Sequence, residues 1–496
     1  MCSVKADFEW VKKLTVKPCL LWFWFGLSIV TLIRLWVAAA SPLSPDEAYY
    51  WLWSNHLDYS FYDHPPMVAL WIKLGCWIGN KTALGVRFLA PFAGLIGSVF
   101  IYFSVMDFCH TSHDKEKNAI TAVLILNTTL AISVGSVTIT PDTPLIFFIC
   151  IFIWGCGRLL ATQKLGWWLV IGIAAGCALL SKYTALLMIA GLGVWCILTV
   201  LGRSSLKSWK LWGGLFLTIL IFLPVIIWNS RHQWISFLKQ GGRTADWHPS
   251  RAVQFLSELM IGQIGLATPI FFVCFCWAMI KLTKIVWQSK AENDFLLWLW
   301  VIIPVCVFVQ HAFGDRVQAN WVGILYPVLS VITAIYFHRF IKSACILGNI
   351  MVGLIYIQSV FAYFPIPAKY DLMLKRLGGW AELAKVVSCQ IPDSVPIIVD
   401  EYGIAAELAF YEVHHPIILV DRRWKYFALA DYHGKNGYLI RTQRRKDMPP
   451  SVYFLNSEKK GIVVRKIKQR IAETYNIYKV ELNYSNANQH EIVYLP

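Results

Sequence analysis

"LGWWLVIGIAAGCALLSKYTALLMIAGLGVWCILTVL", residues 165–201, is a nearly unbroken apolar run of 37 positions. A helix crosses the ~30 Å hydrocarbon core with about 20 residues, so the run is too long for one ordinary span. Both flanks are basic, with Arg158 and Lys164 before it and Arg203, Lys207 and Lys210 after it. Basic residues concentrate in cytoplasmic loops, and both flanks reach the cytoplasm only if the run is a hairpin. Its one polar break, Ser181-Lys182-Tyr183-Thr184, is then a turn on the outer face.

Outward from this hairpin, the rest of the chain has the same character. Of 496 residues, 57% are hydrophobic and only 15% charged, and 24 are Trp. The apolar residues fall in blocks of about 20, which makes this a polytopic α-helical membrane protein. Eleven spans are predicted: 19–40, 83–106, 118–136, 143–160, 166–181, 183–201, 210–229, 258–280, 294–311, 317–338 and 344–363. Leu20–Ala40 follows Lys12, Lys13 and Lys17, but its bulky Trp22, Trp24 and Trp36 favour a retained helix over a cleaved signal peptide. With the N-terminus cytoplasmic, the inner segments hold sixteen Lys and Arg and the outer loops eight. Eleven spans then leave the C-terminal tail in the periplasm. The net charge of +16 is accounted for by these loops, and no basic and aromatic surface pattern indicates nucleic acid. The 13 Cys are too scattered for a disulfide framework or a zinc pattern.

The composition changes at about Phe364. "VPIIVD" (Val395–Asp400) and "PIILVD" (Pro416–Asp421) read as buried strands flanking a helical "YGIAAELAFYEV", and "SVYFL", "GIVVRKI" and "IYKVEL" add strand candidates. The expected organisation is a transmembrane domain over 1–363, with a first outer loop at 41–82, and a small periplasmic α/β domain over 364–496.

The outer loops collect the ionisable groups. "SPDEAYYWLWSNHLDYSFYDHPP" (Ser44–Pro66) carries Asp46, Glu47, Asp58, Asp63 and His64; "TPDTPL" carries Asp142; the hairpin turn carries Lys182; "HAFGDRVQANW" carries His311 and Arg316. Each has a plain structural explanation. Asp46 and Glu47 suit the first turn of an interfacial helix, with Tyr49, Tyr50, Trp51 and Trp53 as an aromatic belt. Asp142 suits a helix cap, Lys182 a snorkelling role, and Arg34 and Arg87 either snorkelling or phosphate pairing. Their convergence on one face of the membrane is what points to a site, because charges beside hydrocarbon are costly. A carboxylate there can take the proton of an acceptor hydroxyl attacking a sugar's anomeric carbon. Cations at the lipid boundary can hold the phosphate that leaves. A transporter or flippase for a lipid-linked sugar is the rival class, but the matching halves common in transporters are absent. No phosphate-binding Gly-rich loop indicates nucleotide-driven pumping.

Together "SPDEAYYW", "YDHPPM", "VRFLAPFAG", "TPDTPL" and "LSKYTALL" resemble the bacterial branch of the protein-mannosyltransferase-like family of membrane glycosyltransferases, which includes the lipid A aminoarabinose transferases. The resemblance covers roughly residues 20–340. It implies the C-type glycosyltransferase fold, a polyprenyl-phosphate-linked sugar as donor, and inverting transfer at the periplasmic face of the bacterial inner membrane. Lipid A or lipopolysaccharide is the first expected acceptor and protein the second. By the same resemblance Asp46 is the catalytic base with Glu47 beside it. Asp63, His64, Arg87, Asp142, Lys182, Tyr183 and Arg316 are the expected substrate-binding residues. Asp63-His64 departs from the Glu-Lys pair of the aminoarabinose transferases. Some C-type relatives use a divalent cation. Asp46, Glu47, Asp63 and His64 are the candidate ligands for one, although their spacing fits no recognised metal motif.

Overall fold

The computed structural model describes residues 18–109, 114–242, 248–289, 291–411, 414–484 and 490–495. The basic residues Lys5, Lys12, Lys13, Lys17, Arg243 and Lys290, counted above toward topology, lie outside them.

Among the described residues, eight helices are long and apolar enough to cross a membrane, from Leu20–Ala40 to Ile341–Phe361. The pair Ala185–Leu198 and Val200–Leu206, bent by 98°, makes a ninth if it is one span. The predicted count of eleven is not reproduced, for local reasons. The segment predicted at 118–136 breaks at Thr129, an extended residue, into Lys115–Thr128 and Leu130–Gly135. Trp167–Ser181 has 15 residues, about 22 Å of helix. The span predicted at 258–280 is two helices, Ala252–Ala267 and Pro269–Ser289. Thr268 between them has φ 75°, and Pro269 has no N–H to continue the helical ladder.

The hairpin reading of residues 165–201 is visible in how their neighbours pack. A Cβ on Gly172 would lie 2.1 Å from the Gly214 carbonyl oxygen, and one on Gly176 3.1 Å from the Thr218 carbonyl. The Thr218 hydroxyl donates to the Gly172 carbonyl at 2.9 Å. Trp167–Ser181 and Trp209–Arg231 therefore lie side by side and parallel, at a separation only glycine permits. The chain must reverse between them, and it turns at Lys182, whose backbone is extended (φ −161°, ψ 140°).

The C-terminal region builds a six-stranded sheet of order β4-β5-β3-β1-β2-β6. Its centre is parallel: β1 (Ile397–Val399) lies between β2 (Ile417–Val420) and β3 (Asn436–Thr442). Strands β1 and β2 are buried throughout, as their uninterrupted Ile/Val/Leu runs require. The helix Tyr402–Phe410 makes the crossover between them. β4 (Phe454–Ile467), β5 (Arg470–Leu482) and β6 (Ile492–Leu495) complete the sheet with antiparallel pairings. "SVYFL" and "GIVVRKI" contribute to a single bulged strand, β4. β3 and β6 were not anticipated, since each is short and bordered by polar residues.

This region rests on the first loop, residues 41–82. Tyr49, Trp51 and Trp53 are 2%, 8% and 0% exposed, so the aromatic belt expected from the sequence is not a lipid-facing one. Trp51 meets Phe410 edge-on with centroids 5.2 Å apart, Tyr49 meets Tyr402 at 4.7 Å, and Trp53 stacks on Phe61 at 4.3 Å. These rings form the core of the contact between loop and sheet region, where each large ring removes apolar area from water and prefers edge or offset geometry.

Candidate active site

Asp46 and Glu47 begin the helix Pro45–Asn55, which has Pro at its first position and Ser44 as N-cap. Ser44 and Glu47 form a reciprocal capping box, a motif that satisfies two otherwise orphaned donors. Residues adjacent on a helix point about 100° apart, and the two carboxylates have different surroundings.

Glu47 points into the protein and is fully buried. Arg87 grips it with two bonds, Nε to Oε1 at 2.6 Å and Nη2 to Oε2 at 2.7 Å. The Ile139 N–H donates to Oε1 at 3.0 Å and the Ser44 N–H to Oε2 at 2.9 Å. Burial alone would raise the Glu47 carboxyl; Arg87 outweighs it and holds the group below the usual range. The rest of the Arg87 guanidinium donates to the carbonyls of Ala38, Ser41 and Pro42 at 3.1, 2.8 and 2.8 Å. Arg87 is itself buried. The pair joins the end of the first helix, the first loop and the segment before Asp142.

Asp46 points the other way, into the open. It lines a cavity of about 750 Å³ together with Tyr50, His64, Asp142, Lys182, Asn320 and Arg376 at its polar end. Much of the remaining wall is apolar, including Ala90, Ala93, Gly94, Gly97, Leu130, Ile146, Phe147 and Ile355, with Ser136, Thr138, Thr140, Thr143 and Gln318 interspersed. Asp46 accepts from the Tyr402 hydroxyl at 2.9 Å and lies 3.3 Å from Arg376 Nη1. Asp142 opens the helix Asp142–Thr162 and Lys182 ends Trp167–Ser181. These neighbouring helices are antiparallel, so the two residues meet at one level and pair at 2.7 Å. The Asn320 amide donates to the other Asp142 oxygen at 2.8 Å. His64 is half-buried, and its Nδ1 is buried without a hydrogen-bond partner. Burial, then the nearby Lys182 charge, lowers its pKa to about 4, so the imidazole is neutral at pH 7.

Four of the nine residues singled out from the sequence, Asp46, His64, Asp142 and Lys182, thus line one cavity. Glu47 and Arg87 neutralise each other behind it. Asp63 pairs with Lys239 of the helix Ile235–Gly242 and, at 3.4 Å, with Arg423 of the sheet region, and accepts from the Tyr49 hydroxyl at 3.0 Å. Burial raises the Asp63 carboxyl and these cations bring it below its ordinary range. Tyr183 turns away, its hydroxyl 2.7 Å from that of Ser236. Arg316 is exposed and pairs with Glu258. Arg376 and Tyr402 escaped sequence reasoning: both lie far from the first loop in the chain, and neither sits in a distinctive motif.

The four suggested metal ligands do not make a cation site. Glu47 and Asp63 already bind Arg87, Lys239 and Arg423, and among the described residues no group of three or more His, Cys, Asp or Glu could hold a metal ion.

A cavity with a carboxylate and cations at one end, within a helix bundle bearing a small C-terminal sheet region, is the architecture of the C-type glycosyltransferase fold. The same architecture is found in ArnT from Cupriavidus metallidurans. In the apo state it matches with TM-score 0.61 at 13% identity, covering 93% of this chain and 98% of that one. Bound to undecaprenyl phosphate it matches with TM-score 0.60 at 14% identity, covering 98% and 100%.

Residues 63–228 match the family model described as dolichyl-phosphate-mannose-protein mannosyltransferase. A lipid A galacturonosyltransferase of Rhizobium johnstonii is 24% identical over 406 residues, covering 78% of this chain and 82% of the relative. An undecaprenyl phosphate-alpha-4-amino-4-deoxy-L-arabinose arabinosyl transferase of Erwinia tasmaniensis is 20% identical over 361 residues, covering 68% of this chain and 61% of the relative.

Proposed function

We propose that this enzyme moves a sugar from a polyprenyl-phosphate donor, of the undecaprenyl type, to the saccharide headgroup of lipid A or lipopolysaccharide at the periplasmic face of the inner membrane. The donor and acceptor classes are those in the names of the two relatives. The observation that carries the reading is Asp46: a solvent-accessible carboxylate in a cavity whose apolar wall suits an isoprenoid chain.

In the proposed displacement the acceptor hydroxyl gives its proton to Asp46 as its oxygen bonds to the sugar's C1. The bond from C1 to the phosphate oxygen breaks, and the polyprenyl phosphate leaves with the electron pair. Lys182 and Arg376 stand at the same end of the cavity and would hold that phosphate as its charge grows. Glu47 and Arg87 would act at one remove, by fixing the helix on which Asp46 sits. With the N-terminus cytoplasmic, the hairpin turn, the first loop and the sheet region would all lie in the periplasm.

The test is transfer of label from polyprenyl-phosphate sugar to lipid A by the purified chain and its Asp46→Asn variant. Asparagine keeps size and hydrogen bonding but takes no proton, and general-base help contributes about 10²–10⁴ in rate. Turnover should fall by that factor while undecaprenyl phosphate still binds; transfer at the wild-type rate would overturn the assignment of Asp46.

A further inference from the structure

A second cavity, of about 420 Å³, opens on the far side of Asp46, and Asp46 and Arg376 line both. Apart from Pro45, its other walls come from the C-terminal region. Asp400 and Glu401 directly follow β1, Asp421 follows β2, and Thr442 ends β3. These are the carboxyl ends of the three parallel strands. β1 connects through Tyr402–Phe410 to β2 on one side, and β3 lies on its other side. The crevice outside β1 and β3 is a topological switch point, where open α/β sheets bind ligands.

The polar groups there are incompletely satisfied. Asp400 is 8% exposed; Oδ2 is held by Arg445 at 3.1 Å and Arg441 at 3.4 Å, while Oδ1 is buried without a partner. Oε1 of Glu401 is likewise buried and unpartnered. Buried acceptors of this kind are costly unless a donor reaches them. Burial pushes both carboxyls upward, a strain that hydroxyl donors would relieve. At the rim, Lys375 is exposed and supplies a cation beside Arg376.

We propose that this second cavity holds the acceptor headgroup, a hydroxyl-bearing saccharide with an anionic substituent, and presents one of its hydroxyls to Asp46. Asp400 and Glu401 accept from the saccharide's other hydroxyls, and Lys375 meets the anionic substituent. Asp46 then stands between a donor on the lipid side and an acceptor on the sheet side. The assignment rests on the glycosyl-transfer reading for its name but makes a binding claim of its own.

The test uses the full chain in detergent micelles and bisphosphorylated diglucosamine, the deacylated headgroup, as probe. Binding is followed by calorimetry for wild type, Glu401→Gln and Lys375→Glu; the second substitution is on the surface and spares folding. A hydrogen bond to a charged group contributes about 1.5–3 kcal/mol, so each variant should bind the probe roughly tenfold or more weakly, with undecaprenyl phosphate affinity unchanged. Wild type that binds no probe, or probe affinity unchanged in both variants, overturns the site. Transfer to lipid A with unaltered acceptor KM in both variants also overturns it and leaves the reaction standing. Wild type that binds the probe as expected but transfers no sugar supports the site and removes the reaction.

Discussion

Arg87→Ala separates a structural cation from a substrate-binding one. The guanidinium makes two bonds of 2.6 and 2.7 Å to Glu47 and further bonds to three backbone carbonyls and the Ser41 hydroxyl. Truncation leaves the Glu47 carboxylate fully buried with only the Ser44 and Ile139 donors, and leaves the carbonyls of Ala38, Ser41 and Pro42 short of partners. Breaking a buried pair from one side costs about 3–5 kcal/mol, most of it the uncompensated charge. At roughly 2–4 °C per kcal/mol for a large domain, the melting temperature in detergent should fall by about 10 °C, and expression with it. Arg87→Lys should fall between, since an ammonium has three donors in place of a five-donor fork. The assay is thermal unfolding of both variants beside undecaprenyl phosphate binding. Arg87→Ala with wild-type melting and selectively lost lipid-phosphate binding would refute this argument and return Arg87 to the donor site.

Lys182→Ala should weaken undecaprenyl phosphate binding and raise donor KM about tenfold or more, and Lys182→Arg should retain part of the affinity; unchanged donor KM in Lys182→Ala would leave this residue only its pairing with Asp142. Ala93→Leu narrows the apolar wall and should raise donor KM with acceptor KM unaltered, so a change confined to acceptor kinetics would place the lipid chain elsewhere. Glu407 is buried with neither carboxylate oxygen partnered, and burial holds its pKa well above 4.5. The native state therefore keeps a proton that the unfolded chain releases. This contribution to stability is full below about pH 4.5 and is lost as pH rises through the native pKa. Glu407→Gln should flatten the decline in melting temperature as pH rises above about 4.5; equal slopes in the two proteins would remove Glu407 as the source of that decline.

Residues 165–201 made the bundle legible because the cost of charge in hydrocarbon is local: length, apolarity and flanking Lys and Arg are enough to read a hairpin. The central strands β1 and β2 and their crossover helix were legible for a similar reason, being uninterrupted buried runs. Asp46 was legible as the first-turn acid of a loop that resembles a family motif. The choice of Asp46 over Glu47 came from that resemblance alone, because the two neighbours have nearly the same chemistry. The physical difference between them appears only in the tertiary structure, which puts Arg87 against Glu47 and open space against Asp46. Helix breaks such as Thr268 went unread as well, since a propensity cost of a few kcal/mol is set by what packs around the break. Arg376, Tyr402 and the second cavity depend on the sheet region docking onto the first loop. That contact joins residues more than 300 positions apart through buried Tyr49, Trp51 and Trp53. Sequence spacing carries local energetics only; the partners of a buried ring or carboxylate are fixed by long-range packing.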